Sequence, residues 1–363
     1  MEENKKHTSK IFFEGEKNKK ISPPQIFEKK NVVFISAEAN MTHTCCIYDL
    51  LVENSLCKLC NKEHKNGIPV LPHEYIKSQD YCDSVLETYK NRSMTEQKSD
   101  EWLNARHECI TASVVAKITD KLESKTVKSM IEEKAYYGKY SKNVKNIYTT
   151  YGELYEPLAN MVYCFRTGRT TYEYGLIKHQ EYPFIGASTD GVTNDLINIE
   201  IKCPTSRVVD GHISKLYYEQ MQLQMEVLDL DITHFFECNF VTHSKDEFVT
   251  LEYKHEKGII IEYMHEGKLD YSYSPLENHK ENEVLLTWHE ETVNSLITKE
   301  KIITDTVYWS LLRVNCNEVK RDKKWFENKL PLLRNFWTKV EELRAQTKNE
   351  ETLIQPMTGI CLI

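Results

Sequence analysis

Apolar positions set the first map of the chain. Leu154, Leu158, Met161, Val162 and Phe165 recur at helical spacing, which predicts a helix over residues 152–165. Pro157 lies inside that stretch and is tolerated best in a first turn, so the helix is expected to begin just ahead of it. Ser99-Asp100 before Glu101 and Trp102 is an N-cap signal. A further helix is expected after Thr111-Ala112-Ser113, with Val114, Val115 and Ile118 as its apolar side, and another over 216–228. Between them the pattern turns β-like, predicting strands over 176–184, 185–189, 196–203 and 232–241 and a hairpin over 247–264. Past Pro275 long amphipathic helices are expected, anchored by Trp288, Trp309, Trp325 and Trp337. There Phe326, Leu330, Leu333 and Trp337 make a core-facing stripe, and Pro331 is read as a kink or a fresh helix start.

The expected fold class is therefore α/β, a mixed central sheet flanked by helices with a mainly helical C-terminal extension. Residues 1–30 are Lys/Glu-rich and read as a mobile charged tail, 31–95 as a segment rich in Cys and His, 96–265 as the core, and 266–363 as the extension. The polar stretch from Asn91 to Ser99 reads as a linker, and because every motif that carries chemistry lies at or beyond Trp102, sequence before Asn91 is expected to be dispensable for chemistry on simple substrates.

Composition narrows the classes. Of 363 residues, 40% are hydrophobic and 28% charged, which suits a soluble globular protein and not a disordered one. No apolar run approaches the ~20 residues of a membrane span, and the charged N-terminus lacks a secretory h-region. An intracellular setting, cytoplasmic or nuclear, is expected, and the eleven cysteines are read mostly as reduced thiols. The net charge of −8 lacks the basic footprint of a DNA-binding domain, although carboxylates gathered around metal ions leave an enzyme acidic overall. Cys57-x2-Cys60 with His64 has zinc-knuckle spacing, with Cys45, Cys46 or His43 as fourth-ligand candidates. Only one pair is clean, so scattered thiols are preferred and a zinc site of Cys46, Cys57, Cys60 and His64 is the alternative.

Three features of the centre belong together. Asp190 sits at a Gly turn, in Gly186-Ala187-Ser188-Thr189-Asp190-Gly191. Ile199-Glu200-Ile201-Lys202 alternates, so in a strand Glu200 and Lys202 share one face and the two isoleucines the other. An upstream helix carries Glu153 and Glu156. A hairpin joining Asp190 to Glu200 brings two carboxylates side by side, with Lys202 ~6–7 Å along the same face. Hard divalent cations take such oxygens, and an ion on a scissile phosphate polarises the P–O bond and activates water. The lysine suits orienting or deprotonating that water, since burial readily lowers its pKa. This is phosphodiester chemistry, although a Glu-x-Lys pair on a solvent face also arises with no function at all.

Five ordered stretches resemble the lambda exonuclease/YqaJ branch of the PD-(D/E)XK nuclease superfamily. They are Trp102-x3-Arg106 with Ile110-Thr111-Ala112-Ser113; Gly152-x3-Glu156 followed by Ala159; Ser188-Thr189-Asp190-Gly191; Glu200-Ile201-Lys202-Cys203-Pro204; and Tyr217, Gln220 and Gln222. Thr189 stands where the family has proline. The resemblance implies a restriction-endonuclease-like core, with Asp190, Glu200 and the Ile201 carbonyl as metal ligands and Glu156 as the supporting acid. It implies Lys202 as the catalytic lysine and Gln220 as a residue that positions water or that lysine. Arg106, Ser113 and Ser188 correspond to groups that hold a terminal 5′-phosphate, and Arg207 to a further phosphate contact. Arg106 has support of its own, because guanidinium suits bidentate phosphate binding.

The implied activity is an Mg²⁺-dependent deoxyribonuclease, with Mn²⁺ substituting, that degrades duplex DNA from 5′ ends and leaves single strands for recombination, repair or genome processing. Its partners would be double-stranded DNA ends, a single-strand annealing protein and further copies of the chain. A structure-selective endonuclease or resolvase of the same fold, and a non-catalytic recombination scaffold, are the alternatives.

Overall fold

The computed structural model describes residues 64–353, apart from breaks at 66–67, 70, 72, 94, 140–146, 206, 208 and 252–255. The expected charged tail lies outside the described residues, as do Cys46, Cys57, Cys60 and the side chain of His64.

A short hairpin (β1, His64–Lys65; β2, Ile68–Pro69) precedes helix α1, Gln79–Arg92, which is capped by the Ser78 side chain. Helix α2, Asp100–Ala105, starts where Ser99 Oγ accepts from the Trp102 N–H at 3.1 Å. Strand β3, Ile110–Thr111, then leads into a 3-10 turn at Ala112–Lys117 in place of the expected helix. Valines at 114 and 115 crowd an α-helix, and the turn still buries Val115. Helices α3, Lys125–Ala135, and α4, Ile147–Thr167, follow.

Next come β4 (Thr171–Tyr172), β5 (Ile177–Lys178), β6 (Ile185–Ala187), β7 (Gly191–Thr193) and β8 (Asn198–Lys202). Helix α5, Lys215–Leu228, crosses to β9, Ile232–His243. The chain continues through α6 (Lys245–Thr250), β10 (Lys257–His265), β11 (Lys268–Tyr273), α7 (Asn282–Thr298), β12 (Ile302–Lys320) and α8 (Lys323–Leu353).

A seven-stranded sheet in the order β11-β10-β12-β9-β8-β7-β4 forms the centre. Its pairs are antiparallel except β8–β9, which the α5 crossover makes parallel. Alternation sorts its faces as expected. Ile199, Ile201, Phe236 and Cys238 pack with Leu158, Ala159 and Val162 of α4. On the other face Phe235 joins Met221 and Met225 of α5 and Phe326, Leu333 and Trp337 of α8. A three-stranded sheet, β3-β6-β5, packs beside α5.

Four sequence expectations need correction. The hairpin lies further on, over β10 and β11, because Ser244 and Glu247 form a capping box that starts α6. It turns at Glu266 and Gly267, whose φ values of 50° and 76° suit a two-residue loop between strands. The region past Pro275 is not all helix. Between α7 and α8 it supplies the longest strand, β12, rich in Ile, Thr and Val, which pairs with both β9 and β10. The sheet therefore continues across the expected boundary at 265–266, and Trp309 is a buried strand residue. Pro157 lies well inside a helix instead of in its first turn, and Pro331 does not start a fresh one. Near the first, the Tyr273 hydroxyl donates to the Leu154 carbonyl at 2.9 Å, in the turn that proline disturbs.

The last correction concerns α1, which belongs to the core. Cys82, Leu86 and Tyr89 are buried in the α5–α8 cluster, the Tyr89 hydroxyl donates to the Leu228 carbonyl, and the Tyr174 hydroxyl donates to the Leu86 carbonyl at 3.2 Å. Nor is the stretch after it a bare linker: Gln97 Nε2 donates to the Tyr174 and Thr189 carbonyls at 2.6 and 2.8 Å. Leu86→Ala should therefore cost about 2–5 kcal/mol in urea unfolding; a loss below ~1 kcal/mol would mean α1 is only appended.

Helix α4 is pinned to the sheet by a bidentate ion pair. Arg166 Nε and Nη2 donate to Glu256 Oε1 and Oε2 at 2.8 and 2.7 Å, with both side chains largely buried. Burial pushes the Glu256 carboxyl up, but the Arg166 guanidinium outweighs it and holds it below the ordinary carboxylate range. Arg166→Ala should cost about 3–5 kcal/mol at neutral pH, because it strands a buried charge. A carboxyl whose folded pKa is depressed stabilises above its unfolded pKa and loses that contribution as pH falls through the folded one. The gap between wild type and variant should therefore shrink below the ordinary carboxylate range. A gap independent of pH would contradict this.

Candidate active site

Register builds the acid pair. Gly191 lies opposite Ile199 in the β7–β8 ladder, so Asp190 and Glu200 fall side by side. The Ile201 N–H donates to Asp190 Oδ2 at 2.7 Å, fixing that carboxylate on the neighbouring strand. Glu200 is fully buried in the middle of the sheet. Gln220 Nε2 donates to its Oε1 at 2.7 Å, and Gln224 Nε2 donates to its Oε2 at the same distance.

Lys202 completes the cluster. Its ammonium pairs with Glu200 Oε1, donates to the Ile201 carbonyl at 2.8 Å and stands 3.8 Å from Asp190 Oδ2. Glu156 reaches the same cluster from α4, and Gly152 makes room for it: a Cβ at 152 would stand 3.2 Å from Glu156 Oε1.

Charge in the cluster is unbalanced, with three carboxylates around one ammonium. Burial pushes the Glu200 carboxyl up to about 7, aided by Asp190 and opposed by Lys202. Burial and Asp190 also raise Glu156. For Lys202, burial alone lowers the pKa, yet Glu200 and Asp190 outweigh it and hold the ammonium above its ordinary value. In this arrangement Lys202 acts as a hydrogen-bond donor, to the Ile201 carbonyl.

The donor set fits a hard divalent ion. Oxygens of Glu200, Asp190 and the Ile201 carbonyl already converge on one cationic group, the Lys202 ammonium. Among the described residues no three His, Cys, Asp or Glu side chains are gathered as a ready metal cage.

A second cluster adjoins the first. Arg106 stacks over the Trp102 ring, 4.2 Å from its centroid, and its Nη2 donates to Ser113 Oγ at 3.2 Å. Trp102 Nε1 donates to Ser188 Oγ at 2.9 Å. The structure thus brings Arg106, Ser113 and Ser188 together, with Trp102 as the connecting ring. Arg207 is engaged differently: its guanidinium pairs with the fully buried Glu237, which lies opposite Lys202 in the β8–β9 ladder.

Sequence reading passed over Gln224, Asn198 and Gln97. Two of them left a signal. Gln220 and Gln224 are one helical turn apart, and Asn198 alternates with Glu200, so each shares a face with a residue already singled out. Asn198 Nδ2 donates to Gln224 Oε1 at 3.1 Å and to Thr233 Oγ1 at 2.9 Å. The hydrogen bonds of Gln97 go to residues 77 and 92 positions away, and nothing local marks it.

Among the described residues no helix is long and apolar enough to cross a membrane. Six cysteines there are free thiols, and Cys203 packs, partly buried, against the α4 cluster.

Comparison with known proteins places this site in context. An uncharacterized protein of Acanthamoeba polyphaga mimivirus is 29% identical, with the match covering 78% of this chain and 60% of the relative. The chain thus spans about 60% of the length of that relative. Among solved structures, an alkaline exonuclease from Laribacter hongkongensis is 20% identical, with a TM-score of 0.46 over 70% of this chain and 100% of that one. A phage-related exonuclease from Haemophilus somnus is 17% identical, with a TM-score of 0.36 over 69% of this chain and 99% of that one. Residues 101–233, which hold both clusters, match the YqaJ-like viral recombinase domain.

Proposed function

We propose that this chain is a metal-dependent DNA exonuclease that hydrolyses duplex DNA from 5′ ends and leaves single strands for recombination. One observation carries the reading: oxygens of Asp190, Glu200 and Ile201 converge on a single cationic group. The arginine–serine pocket beside them supports action at an end.

In this reading Arg106, Ser113 and Ser188 hold the terminal phosphate, and the two hydroxyls each keep an O–H to donate to it. Asp190, Glu200 and the Ile201 carbonyl would hold Mg²⁺, or Mn²⁺ in its place, with Glu156 closing the negative wall from α4. When bound, the ion supplies Lewis-acid polarisation of the phosphate and a more acidic water. Lys202 keeps its proton at Nζ and donates to an oxygen of the scissile group or its water, stabilising charge that develops there. Gln220 and Gln224 each hold one oxygen of the Glu200 carboxylate.

The direct test is incubation of linear duplexes, 5′-phosphorylated or 5′-hydroxyl, and of closed circles, with Mg²⁺ or with EDTA. Resection of linear DNA that EDTA abolishes is expected; brisk cutting of closed circles would instead favour an endonuclease. Asp190→Ala, Glu200→Ala and Lys202→Ala should each slow cleavage by about 100-fold or more while leaving the fold intact. Near-wild-type turnover in any of them removes that residue from the reacting centre. Glu156→Ala should cost more than Glu153→Ala, and the reverse order would transfer the role to Glu153. Arg106→Ala should slow cleavage of 5′-phosphorylated ends about 10- to 100-fold and 5′-hydroxyl ends far less. An equal loss on both would make Arg106 a general DNA or folding contact.

A further inference from the structure

The side-chain amide of Gln224 touches both clusters. We infer that Gln224 is a positioning residue that couples the terminal-phosphate pocket to Glu200, so that a phosphate held at the pocket sharpens the acid cluster for cleavage. This inference rests on the end-directed nuclease reading above.

The amide has a single orientation. Gln224 is fully buried. Its Oε1 accepts from Asn198 Nδ2 at 3.1 Å, and Asn198 is itself held by Thr233 Oγ1 at 2.9 Å. Flipping the amide would set its oxygen against the Glu200 carboxylate and its nitrogen against the Asn198 donor. The NH₂ group therefore faces the site with two hydrogens. One goes to Glu200 Oε2 at 2.7 Å, and the other reaches the Ser188 carbonyl at a longer 3.3 Å.

Ser188 is the shared element. Its carbonyl meets Gln224, while its hydroxyl takes the Trp102 indole N–H at 2.9 Å, under the ring on which Arg106 stacks. A phosphate seated on Arg106 and the Ser188 hydroxyl fixes the Ser188 peptide. That fixes the weaker of the two Gln224 bonds, and with it the orientation of Glu200. Asp190 follows two residues after Ser188 on the same turn, so both acids feel the same anchor.

Gln220 provides the internal control. It donates to the other Glu200 oxygen at 2.7 Å, and its recorded hydrogen bond goes to Glu200 alone. Losing Gln220 removes a bond to the acid without cutting the path to the pocket. Losing Gln224 does both. A residue that merely supports Glu200 slows every substrate by one factor, whereas a coupling residue alters the ratio between substrates.

The experiment measures single-turnover cleavage of linear duplexes bearing 5′-phosphate or 5′-hydroxyl ends, with Mg²⁺. The proteins are wild type, Arg106→Ala, Gln220→Met, Gln224→Met and the Arg106→Ala/Gln224→Met pair, each checked for folding by circular dichroism and thermal unfolding. Gln224→Met should lose about 10- to 100-fold on phosphorylated ends and clearly less on hydroxyl ends, collapsing the preference. Gln220→Met should slow both ends alike. The double variant should show no lower preference than Arg106→Ala alone. If Gln224→Met fails to fold, Gln224→Asn, which retracts the amide, should lower the preference in the same direction. Equal losses on both ends for the Gln224 variants, or full additivity with Arg106→Ala, would overturn the coupling while leaving the nuclease reading in place. A wild type that resects both ends equally would overturn the pocket and the coupling together.

Discussion

Everything at this site depends on a carboxylate that the sheet has taken out of water. Glu200 sits on a strand flanked on both sides, with no exposed surface, and every interaction near it answers the cost of that burial. Two glutamine amides from α5 and the Lys202 ammonium occupy its oxygens. Desolvation strengthens each of those contacts and also leaves the neighbouring acids short of positive charge. A folded protein tolerates such an excess where a cation or a charged substrate group is to arrive. The same burial ties each polar group of the cluster to its partners, because an unpaired one would be costly there.

The scaffold serves this arrangement through ordinary sheet physics. Antiparallel pairing of β7 with β8 fixes the Asp190–Glu200 adjacency, and parallel pairing of β8 with β9 requires a crossover. That crossover is α5, which brings Gln220 and Gln224 onto the polar face of β8, while α4 packs on the apolar face and carries Glu156 to its rim. A one-residue slip of β8 would exchange Ile201 for Glu200 and dismantle the site, so the buried isoleucines protect the register of the acids. Both faces of one five-residue strand are thereby committed, one to stability and one to chemistry.

Much of this was legible in the sequence, and the reasons are local. Ile199-Glu200-Ile201-Lys202 declares its two faces by alternation, and Asp190-Gly191 declares its turn. The capping residue Ser99 announces a helix start. What local pattern could not convey was long-range pairing. Residues 302–320 were read as part of a helical region because the tryptophans around them recur on an amphipathic background, yet β-branched residues and partners more than 60 positions upstream make them a central strand. Helix α1 looked detachable because a polar stretch follows it, whereas Tyr89 and Leu86 are tied to α5 and to Tyr174, far along the chain. The charge state of Lys202 depends likewise on how closely Glu200 and Asp190 approach it in space. Sequence spacing gives the adjacency of the three groups and carries no information on these distances.

Under the proposed function, the oxygens now gathered around the Lys202 ammonium would hold a divalent cation. Crystals grown with Mn²⁺ and examined by anomalous diffraction test it most directly. The account predicts an anomalous peak within about 2.0–2.3 Å of carboxylate oxygens of Asp190 and Glu200 and of the Ile201 carbonyl, with the Lys202 ammonium withdrawn from that carbonyl. Saturating Mn²⁺ that leaves no peak there, with Lys202 still bonded to Ile201, would contradict it.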